Sequence, residues 1–204
     1  PHVNSFRHYA LFGLGRVESN SFEMDNYPVG VENGKSGTCP TQSLVDQYEY
    51  IDNGETFASR YPGVINLKQV DPYENLDPRF ALTVVKNGDE WPSNGSQKKV
   101  IETFNGGFNA LPAYGATPTG YYLRKYVDGN CVTTTDNQTT RRHTWIIFRL
   151  GEFYLDFAEA AFYATGSAND KTFGMSANEA VNTLRKRADI AMPEFKEDGE
   201  AWVE

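Results

Sequence analysis

Three carboxylates, Asp71, Glu74 and Asp77, lie close enough in the sequence to suggest acid–base chemistry. A glycoside hydrolase needs two carboxyl groups that face each other across the bond to be broken. Here, however, Asp71 and Asp77 each precede a proline, and an Asp-Pro pair typically begins a turn in which the aspartate accepts backbone hydrogen bonds. Turn formation explains these residues better than catalysis does, and no catalytic residue is predicted.

The sequence lacks the residue spacings of other catalytic and metal centres. His2, His8 and His143 show no H-E-x-x-H spacing, and neither a phosphate-binding loop nor a G-x-S-x-G turn is present. Cys39 and Cys131 are too few for a cysteine metal cluster and leave two alternatives, a disulfide or two free thiols. We therefore predict a protein that is not an enzyme, with no metal site and no cofactor.

Charge and hydropathy exclude two further classes of protein. The net charge is −8 and the isoelectric point is about 5.0, so the surface repels nucleic acid. The basic run Arg185-Lys186-Arg187 is expected to be a solvated face near a helix end, where the helix dipole favours cations. No apolar stretch approaches the roughly 20 residues of a membrane-spanning helix.

Because the chain opens at Pro1 without a leader and ends abruptly at Glu204, we expect a piece of a longer protein.

The composition of the chain changes near residue 144. Residues 1–144 hold most of the glycine and proline, in turn-forming pairs such as Asn53-Gly54 and Gly106-Gly107, which predicts long irregular loops with short strands. Residues 145–204 are predicted to be helical. We interpret the chain as mainly α with long irregular loops and short strands, with both regions forming one fragment of a larger single domain.

Two helices are predicted in the second region. The first spans about 145–164, because apolar residues recur there at three- and four-residue spacings, and Gly166 is expected to stop it in the left-handed conformation. The second is expected to begin at Ser176, with Glu179 completing a capping box, and to end near Ala188. The periodic apolar residues of the first helix are Ile146, Ile147, Leu150, Phe153, Tyr154, Phe157, Ala161 and Phe162.

A short segment of the first helix fits a helical repeat. Residues 150–154, Leu-Gly-Glu-Phe-Tyr, match the L-G-x-x-Y portion of a tetratricopeptide repeat. A repeat helix pair buries its apolar faces only against neighbouring repeats. We therefore expect this helix pair to pack against helices that the present chain does not contain.

Five segments, in order along residues 40–190, resemble motifs of the SusD/RagB family. Pro40–Glu49, followed by Asp52-Asn53-Gly54, is similar to P-T-Q-x-L-V-D-x-[FY]-E with its D-G turn, and Asp71–Phe80 is similar to D-P-Y-x-N-R-D-P-R-F. Thr119–Tyr126 is similar to T-G-Y-x-x-R-K-[YF], Phe148–Ala160 to R-x-[AG]-E-x-Y-L-x-x-A-E-A, and Ala180–Ala188 to A-[LIV]-x-x-[LIV]-R-x-R-A. One such motif would carry little weight, but five in sequence are specific.

The resemblance implies part of a SusD-like fold built on a tetratricopeptide-like α-α superhelix. It also implies a non-catalytic, surface-exposed lipoprotein of the outer membrane, held by a lipid anchor outside this chain. Such a protein binds an oligosaccharide or polysaccharide and partners a SusC-like TonB-dependent transporter. Two alternatives stay open: a peptide- or protein-binding lipoprotein of the same fold and, with less support, a glycoside hydrolase.

Candidate glycan-binding residues are aromatic, since sugars expose apolar ring faces that stack on aromatic side chains. Because binding groups usually lie on loops, we predict that Tyr9, Phe22, Tyr27 and Trp91 of the loop-rich region contact the glycan. Trp91 is favoured because Pro92 and the residues after it suggest the apex of a loop. The arginines of the motifs, Arg79 and Arg124, are instead expected to pair with carboxylates such as Asp77 or Glu159 in the scaffold.

Overall fold

The computed structural model describes residues 10–52, 54–57, 71–92, 99–134 and 137–203. The chain divides into two compact units. We call residues 1–16, 51–57 and 144–204 the helical unit, and residues 17–50 and 58–143 the loop unit. The predicted division of the chain into residues 1–144 and 145–204 as parts of one larger domain stays a prediction.

Helices and mostly short strands alternate with long irregular segments, as expected, although β1 and β8 have ten and nine residues. The helices are α1 Ser21–Asn26, α2 Gln42–Val45, α3 Arg79–Thr83, α4 Leu150–Thr165, α5 Ala177–Arg185 and α6 Glu200–Val203. The strands are β1 Ala10–Ser19, β2 Tyr50–Asp52, β3 Glu55–Phe57, β4 Val84–Val85, β5 Glu90–Trp91, β6 Lys99–Val100, β7 Tyr122–Leu123 and β8 Arg141–Arg149. The described strands pair two by two, β1 with β8, β2 with β3, β4 with β7 and β5 with β6.

The start of the first predicted helix was wrong. Residues 145–149 belong to strand β8, and α4 begins at Leu150, after an extended Arg149 with φ −127° and ψ 151°. The stretch from Thr144 to Phe148 is rich in β-branched and aromatic residues, which favour a strand, and it pairs with β1. The end of the helix is as predicted, because Gly166 adopts the left-handed conformation at φ 74° and its N–H bonds the Phe162 carbonyl.

The start of the second predicted helix is confirmed. The Ser176 hydroxyl accepts the N–H of Glu179 at 3.2 Å, and the Glu179 carboxylate accepts the N–H of Ser176 at 3.0 Å, so both halves of the capping box are present. The helix ends at Arg185, three residues before the predicted Ala188. Beyond it the chain turns back, and the Ala191 N–H bonds the Arg187 carbonyl.

The basic run at the end of α5 is only partly a solvated face. Lys186 and Arg187 are exposed, as predicted, but Arg185 is 6% exposed. Its guanidinium donates to the Pro193 carbonyl at 2.8 Å and to the Thr56 hydroxyl at 3.2 Å. These bonds replace the hydration that burial removes, so Arg185 acts as an internal tie of the helical unit.

Small residues let α4 and α5 approach closely. Ala158 of α4 packs with Ala177 and Ala180 of α5, and the Phe162 ring stacks on Trp202 of α6 at 4.4 Å between centroids. On α4 and just before it, Phe148, Leu150 and Phe153 are between 41% and 47% exposed. α4 therefore buries one apolar face and leaves a second apolar strip uncovered within the described residues.

The described residues of the loop unit form two apolar clusters. One is centred on rings and aliphatic residues from distant loops: Tyr27, Val31, Val85, Trp91, Ile101, Tyr122 and Cys131. The other gathers Val45, Phe80, Val84 and Tyr121, with the half-buried Tyr73 stacked on Phe80 at 5.5 Å. Since β4 supplies a valine to each cluster, the paired strands β4 and β7 lie where the two clusters meet.

Candidate functional site

The segment that follows β6 folds as a row of four consecutive turns. In each turn a backbone N–H donates to the carbonyl three residues earlier in the chain. The four bonds run from Gly107 to Phe104, from Ala110 to Gly107, from Ala113 to Ala110 and from Ala116 to Ala113, at 2.8–3.1 Å. The residue where two turns join is always glycine or alanine, and two of these three residues, Gly107 and Ala110, are buried. A small residue at each junction lets the row lie close against the rest of the loop unit.

The same row presents large apolar side chains to solvent. Phe108, Leu111 and Tyr114 each occupy the second position of their turn, and they are 66%, 55% and 100% exposed. We call these three residues the apolar row. Single exposed apolar residues are common on protein surfaces, but successive ones mark a site of interaction. The arrangement therefore offers a surface for a ligand with apolar faces.

An open depression adjoins the apolar row. It has a volume of about 300 Å³ and is lined by Lys99, Val100, Glu102, Phe108 and Asn109. The lining combines one aromatic ring, one cation, one carboxylate and one amide. Such a mixture suits a neutral polar ligand that has one apolar face, because the opposite charges of the lysine and the glutamate balance.

Side-chain hydrogen bonds hold the turn row in place. Asn109 is 2% exposed; its amide donates to the Val29 carbonyl at 2.5 Å and its oxygen accepts the Glu102 N–H at 3.0 Å. The Glu102 carboxylate accepts the Phe108 N–H at 3.2 Å. Beneath the row, the Tyr122 hydroxyl donates to the Asn109 carbonyl at 2.5 Å, and burial raises the pKa of this tyrosine. The position of Phe108 is thus fixed on both sides by its neighbours.

Two of the aromatic residues predicted from the sequence, Tyr9 and Phe22, do not belong to the apolar row. Tyr9 is outside the described residues. Phe22, on α1, is half-buried, and its ring contacts those of Tyr126 at 6.3 Å and His143 at 5.3 Å. His143 is itself buried against the Glu23 carboxylate at 2.7 Å. A glycan contact by Tyr9 or Phe22 stays a prediction.

The other two predicted aromatic residues are part of the core. Tyr27 is 0% and Trp91 is 2% exposed, and their rings meet edge to face at 5.2 Å. The Tyr27 hydroxyl bonds the backbone of Asp128 and Cys131, and burial raises its pKa. Trp91 lies on β5 rather than at a loop apex. Neither ring presents a face to a ligand in this structure, and packing accounts for both positions.

Both motif arginines pair with a carboxylate, as expected, but only Arg79 does so with one of the two suggested partners. The Arg79 guanidinium donates to the buried Asp77 carboxylate through its Nε atom at 2.9 Å and through a second nitrogen. These hydrogen bonds raise the pKa of the arginine. Arg124 instead lies 3.8 Å from Asp89, with its guanidinium 5.9 Å from the Trp91 ring centre. The arginine of the Asp71–Phe80 motif therefore serves the scaffold, as expected.

The acidic cluster forms turns, as the Asp-Pro pairs predicted. The Asp71 carboxylate accepts the Tyr73 N–H at 2.9 Å, and the Asp77 carboxylate accepts the Arg79 N–H at 2.8 Å. Asp77 is 3% exposed and already paired, so it is poorly placed to donate a proton to a substrate. These two aspartates are accounted for by backbone geometry.

The cysteine alternatives resolve in favour of free thiols. Cys39 is half-buried and Cys131 is buried, and the two are not bonded to each other. Burial raises the pKa of the Cys131 thiol, so it stays protonated at neutral pH. Across the described parts of the chain, no three histidine, cysteine, aspartate or glutamate side chains are grouped so as to hold a metal ion. Of the helices seen there, none is sufficiently long and apolar to cross a membrane.

The apolar row was not predicted, although the sequence carries a signal for it. From Gly107 to Ala116 a small residue recurs at every third position, and an apolar residue follows the first three of them: Gly107-Phe108, Ala110-Leu111, Ala113-Tyr114 and finally Ala116. A period of three matches turns whose hydrogen bonds span three residues, and neither an α-helix nor a strand has this period. The helical and strand periods alone therefore do not detect this pattern.

Solved structures with the same fold come from SusD-like proteins. A SusD-like protein from Bacteroides fragilis is 24% identical, with a TM-score of 0.68, over 97% of this chain and 39% of that one. A SusD-like carbohydrate binding protein from the same organism is 20% identical, with a TM-score of 0.63, over 96% of this chain and 36% of that one. The chain thus spans less than two fifths of the length of these structures, and it has a SusD-like fold. A comparison with curated proteins gives no match.

The sequence model of the SusD family matches residues 8–201, which is nearly the whole chain. The chain therefore belongs to the SusD family. This confirms the resemblance drawn from the five motifs between residues 40 and 190.

Proposed function

We propose that this chain forms part of a non-catalytic glycan-binding subunit, and that the apolar row Phe108, Leu111 and Tyr114 is its glycan contact. The observation that carries the proposal is the exposure of these three side chains at equivalent positions of consecutive turns. A sugar ring has an apolar face that stacks on an aromatic ring and hydroxyl groups that need polar partners. The depression beside Phe108 supplies both, through the ring and through Lys99 and Glu102.

Membership of the SusD family supports the same role. One structural neighbour is described as a carbohydrate binding protein. By analogy we propose that the whole protein lies on the outer membrane as a lipoprotein, anchored outside this chain, and delivers oligosaccharide to a SusC-like TonB-dependent transporter. The hydrolase alternative loses support, because Asp77 is buried and paired with Arg79.

The uncovered strip of α4 fits the proposed tetratricopeptide-like superhelix. Phe148, Leu150 and Phe153 are about half exposed, and the rings of Phe148 and Phe153 contact each other at 6.5 Å. An apolar strip of this kind is what a repeat helix presents to its neighbour. We propose that further helices of the superhelix cover it.

Calorimetric titration of the protein tests the glycan contact. The ligands are malto-, xylo-, manno-, galacto- and N-glycan oligosaccharides, with a set of unrelated peptides as the second panel. We expect at least one oligosaccharide to bind. Phe108→Ala and Tyr114→Ala should each lower its affinity by about tenfold, because each removes one stacking contact. Tyr163→Ala is the matched control, since Tyr163 is a 66% exposed ring on α4, outside the apolar row, and its loss should leave the affinity unchanged.

Three other results would contradict the proposal. Binding of peptides but of no oligosaccharide would favour the peptide-binding alternative. Unchanged affinity in both Phe108→Ala and Tyr114→Ala would place the glycan elsewhere. Hydrolysis of the bound oligosaccharide, if Asp77→Asn abolished it, would support the glycoside hydrolase alternative.

A further inference from the structure

Gly30 lies directly against the Phe108 ring. A Cβ atom built on Gly30 would be 2.5 Å from Cε1 and 2.9 Å from Cδ1 of this ring. Carbon atoms of neighbouring side chains do not approach so closely, since the optimal separation is about 3.5–4.0 Å. Any side chain at position 30 would therefore have to displace the ring or be displaced by it.

The contact lies between two segments whose backbones are tied together, so Gly30 and Phe108 are held next to each other. The Val29 carbonyl accepts the Asn109 amide, and the Gly30 carbonyl accepts the Lys99 ammonium at 3.3 Å. The Phe108 N–H is held by the Glu102 carboxylate. These bonds surround Phe108 with residues that also line the depression, which leaves the glycine as the space into which the ring fits.

We infer that Gly30 is a positioning residue, which sets the Phe108 ring as a preformed wall of the depression and thereby raises glycan affinity without touching the glycan. This inference rests on the proposed function of the apolar row. A ring that is 66% exposed would otherwise lose rotational freedom on binding, which costs free energy. Seating the ring against Gly30 removes part of that cost before the ligand arrives.

A comparison of two glycine variants tests the inference. Gly30→Ala adds the clashing Cβ, whereas Gly88→Ala is a matched control: Gly88 has φ +85° against φ +80° for Gly30, but a Cβ there meets nothing within 4 Å. Both variants place alanine in the left-handed region and lose some thermal stability for that reason. We expect only Gly30→Ala to weaken oligosaccharide binding in the calorimetric titration, by about tenfold, because it displaces the same ring that Phe108→Ala removes.

A double-mutant cycle separates positioning from a general loss of structure. If Gly30 acts through Phe108, then Gly30→Ala has no further effect on the oligosaccharide Kd in the Phe108→Ala background. The melting temperature gives an independent readout, because removing the ring removes the clash. We expect Phe108→Ala to restore part of the melting temperature that Gly30→Ala loses, and to restore nothing in the Gly88→Ala background.

The outcomes distinguish the inference from the proposed function. If Phe108→Ala weakens binding but Gly30→Ala binds like Gly88→Ala, the proposed function stands and the positioning role of Gly30 is overturned. Additive losses in the cycle, with no recovery of the melting temperature, would also overturn it. If no oligosaccharide binds, or if Phe108→Ala binds as well as the parent, the proposed function fails and the inference about affinity fails with it.

Discussion

The helix ends of the helical unit and the apolar core of the loop unit are stabilised by contacts of very different sequence range. In the helical unit the helix ends are fixed locally: Ser176 caps Glu179 three residues later, and Gly166 closes on Phe162 four residues earlier. In the loop unit, the Tyr27 hydroxyl bonds backbone carbonyls 101 and 104 residues away. A local contact can form early and alone, whereas a long-range one forms only when both segments are already in place.

This difference predicts where single substitutions do most damage. The loop unit has few long elements, and its irregular backbone relies on buried side chains to satisfy its polar groups. Removing one of those side chains leaves a cavity or an unpaired buried group. In the helical unit, each helix keeps its own backbone hydrogen bonds when a cap is lost, so the damage stays at the helix end.

The largest effect is expected from Trp91→Ala in the loop unit. The Trp91 ring is 2% exposed and packs between Tyr27 and the Arg124 guanidinium. Its removal should lower the free energy of unfolding, measured by urea denaturation, by about 3–5 kcal/mol. Phe104→Ala, at a ring 54% exposed, is the control and should change it by less than about 0.5 kcal/mol. Equal effects of the two substitutions would contradict the core position of Trp91.

A smaller loss is expected from Tyr27→Phe, which keeps the ring but removes the hydroxyl. That hydroxyl accepts the N–H of Cys131 at 3.0 Å, and since Tyr27 and Cys131 are 0% and 1% exposed, the substitution leaves a buried donor without this partner. We expect a loss of about 1–3 kcal/mol in the free energy of unfolding. The same change at Tyr163, which is 66% exposed, should have almost no effect. If Tyr27→Phe were neutral, the long-range bonds would not distinguish the loop unit from the helical unit.

Ser176→Ala tests the local side of the comparison. It removes the cap of α5 and should cost about 1 kcal/mol of unfolding free energy, less than either substitution in the loop unit. Ser176→Asp should recover much of this loss, because aspartate is also a good N-cap residue. A loss from Ser176→Ala as large as that from Trp91→Ala would erase the contrast between the units.

The smallest effect concerns pH and the other half of the capping box. The hydrogen bond from Lys171, followed by that from the Ser176 N–H, lowers the pKa of the Glu179 carboxyl below its ordinary value of 4.5. Because the folded pKa is the lower one, the stabilisation is complete above pH 4.5 and fades as the pH falls through the folded pKa. The stability difference between the parent and Glu179→Gln should therefore shrink below pH 4.5. A difference that grows with acidity would have the wrong sign.

The sequence predicted the parts of this fold that local chemistry determines. The end of α4 at Gly166, the start of α5 at Ser176 and the turns at Asp71 and Asp77 each depend on residues a few positions apart. The start of α4 was misplaced because Ile146 and Ile147 fit a helical period as well as a strand, and pairing with β1 decides between them. A long-range partner is not visible in a local window.

The same limit explains why two buried aromatic residues were chosen as candidate site residues from the sequence. Counting aromatic residues in loops selected Tyr27 and Trp91, whose burial follows from contacts about 60–100 residues away in sequence, such as that between Tyr27 and Cys131. Composition says that rings are present but not which of them face solvent. The period-three pattern around Phe108 and Tyr114 is the local feature that points to exposed rings, because small residues at the turn junctions take the inner positions.

The most direct test of the account follows the rings of the apolar row during binding. The protein is titrated with the oligosaccharide that binds tightest, and the aromatic carbon–proton NMR signals are recorded at each addition. We expect the signals of Phe108 and Tyr114 to shift saturably with the calorimetric Kd, while that of Tyr163, equally exposed on α4, stays in place. Saturable shifts confined to other rings, with Phe108 and Tyr114 unmoved, would contradict the assignment of the glycan contact to the apolar row.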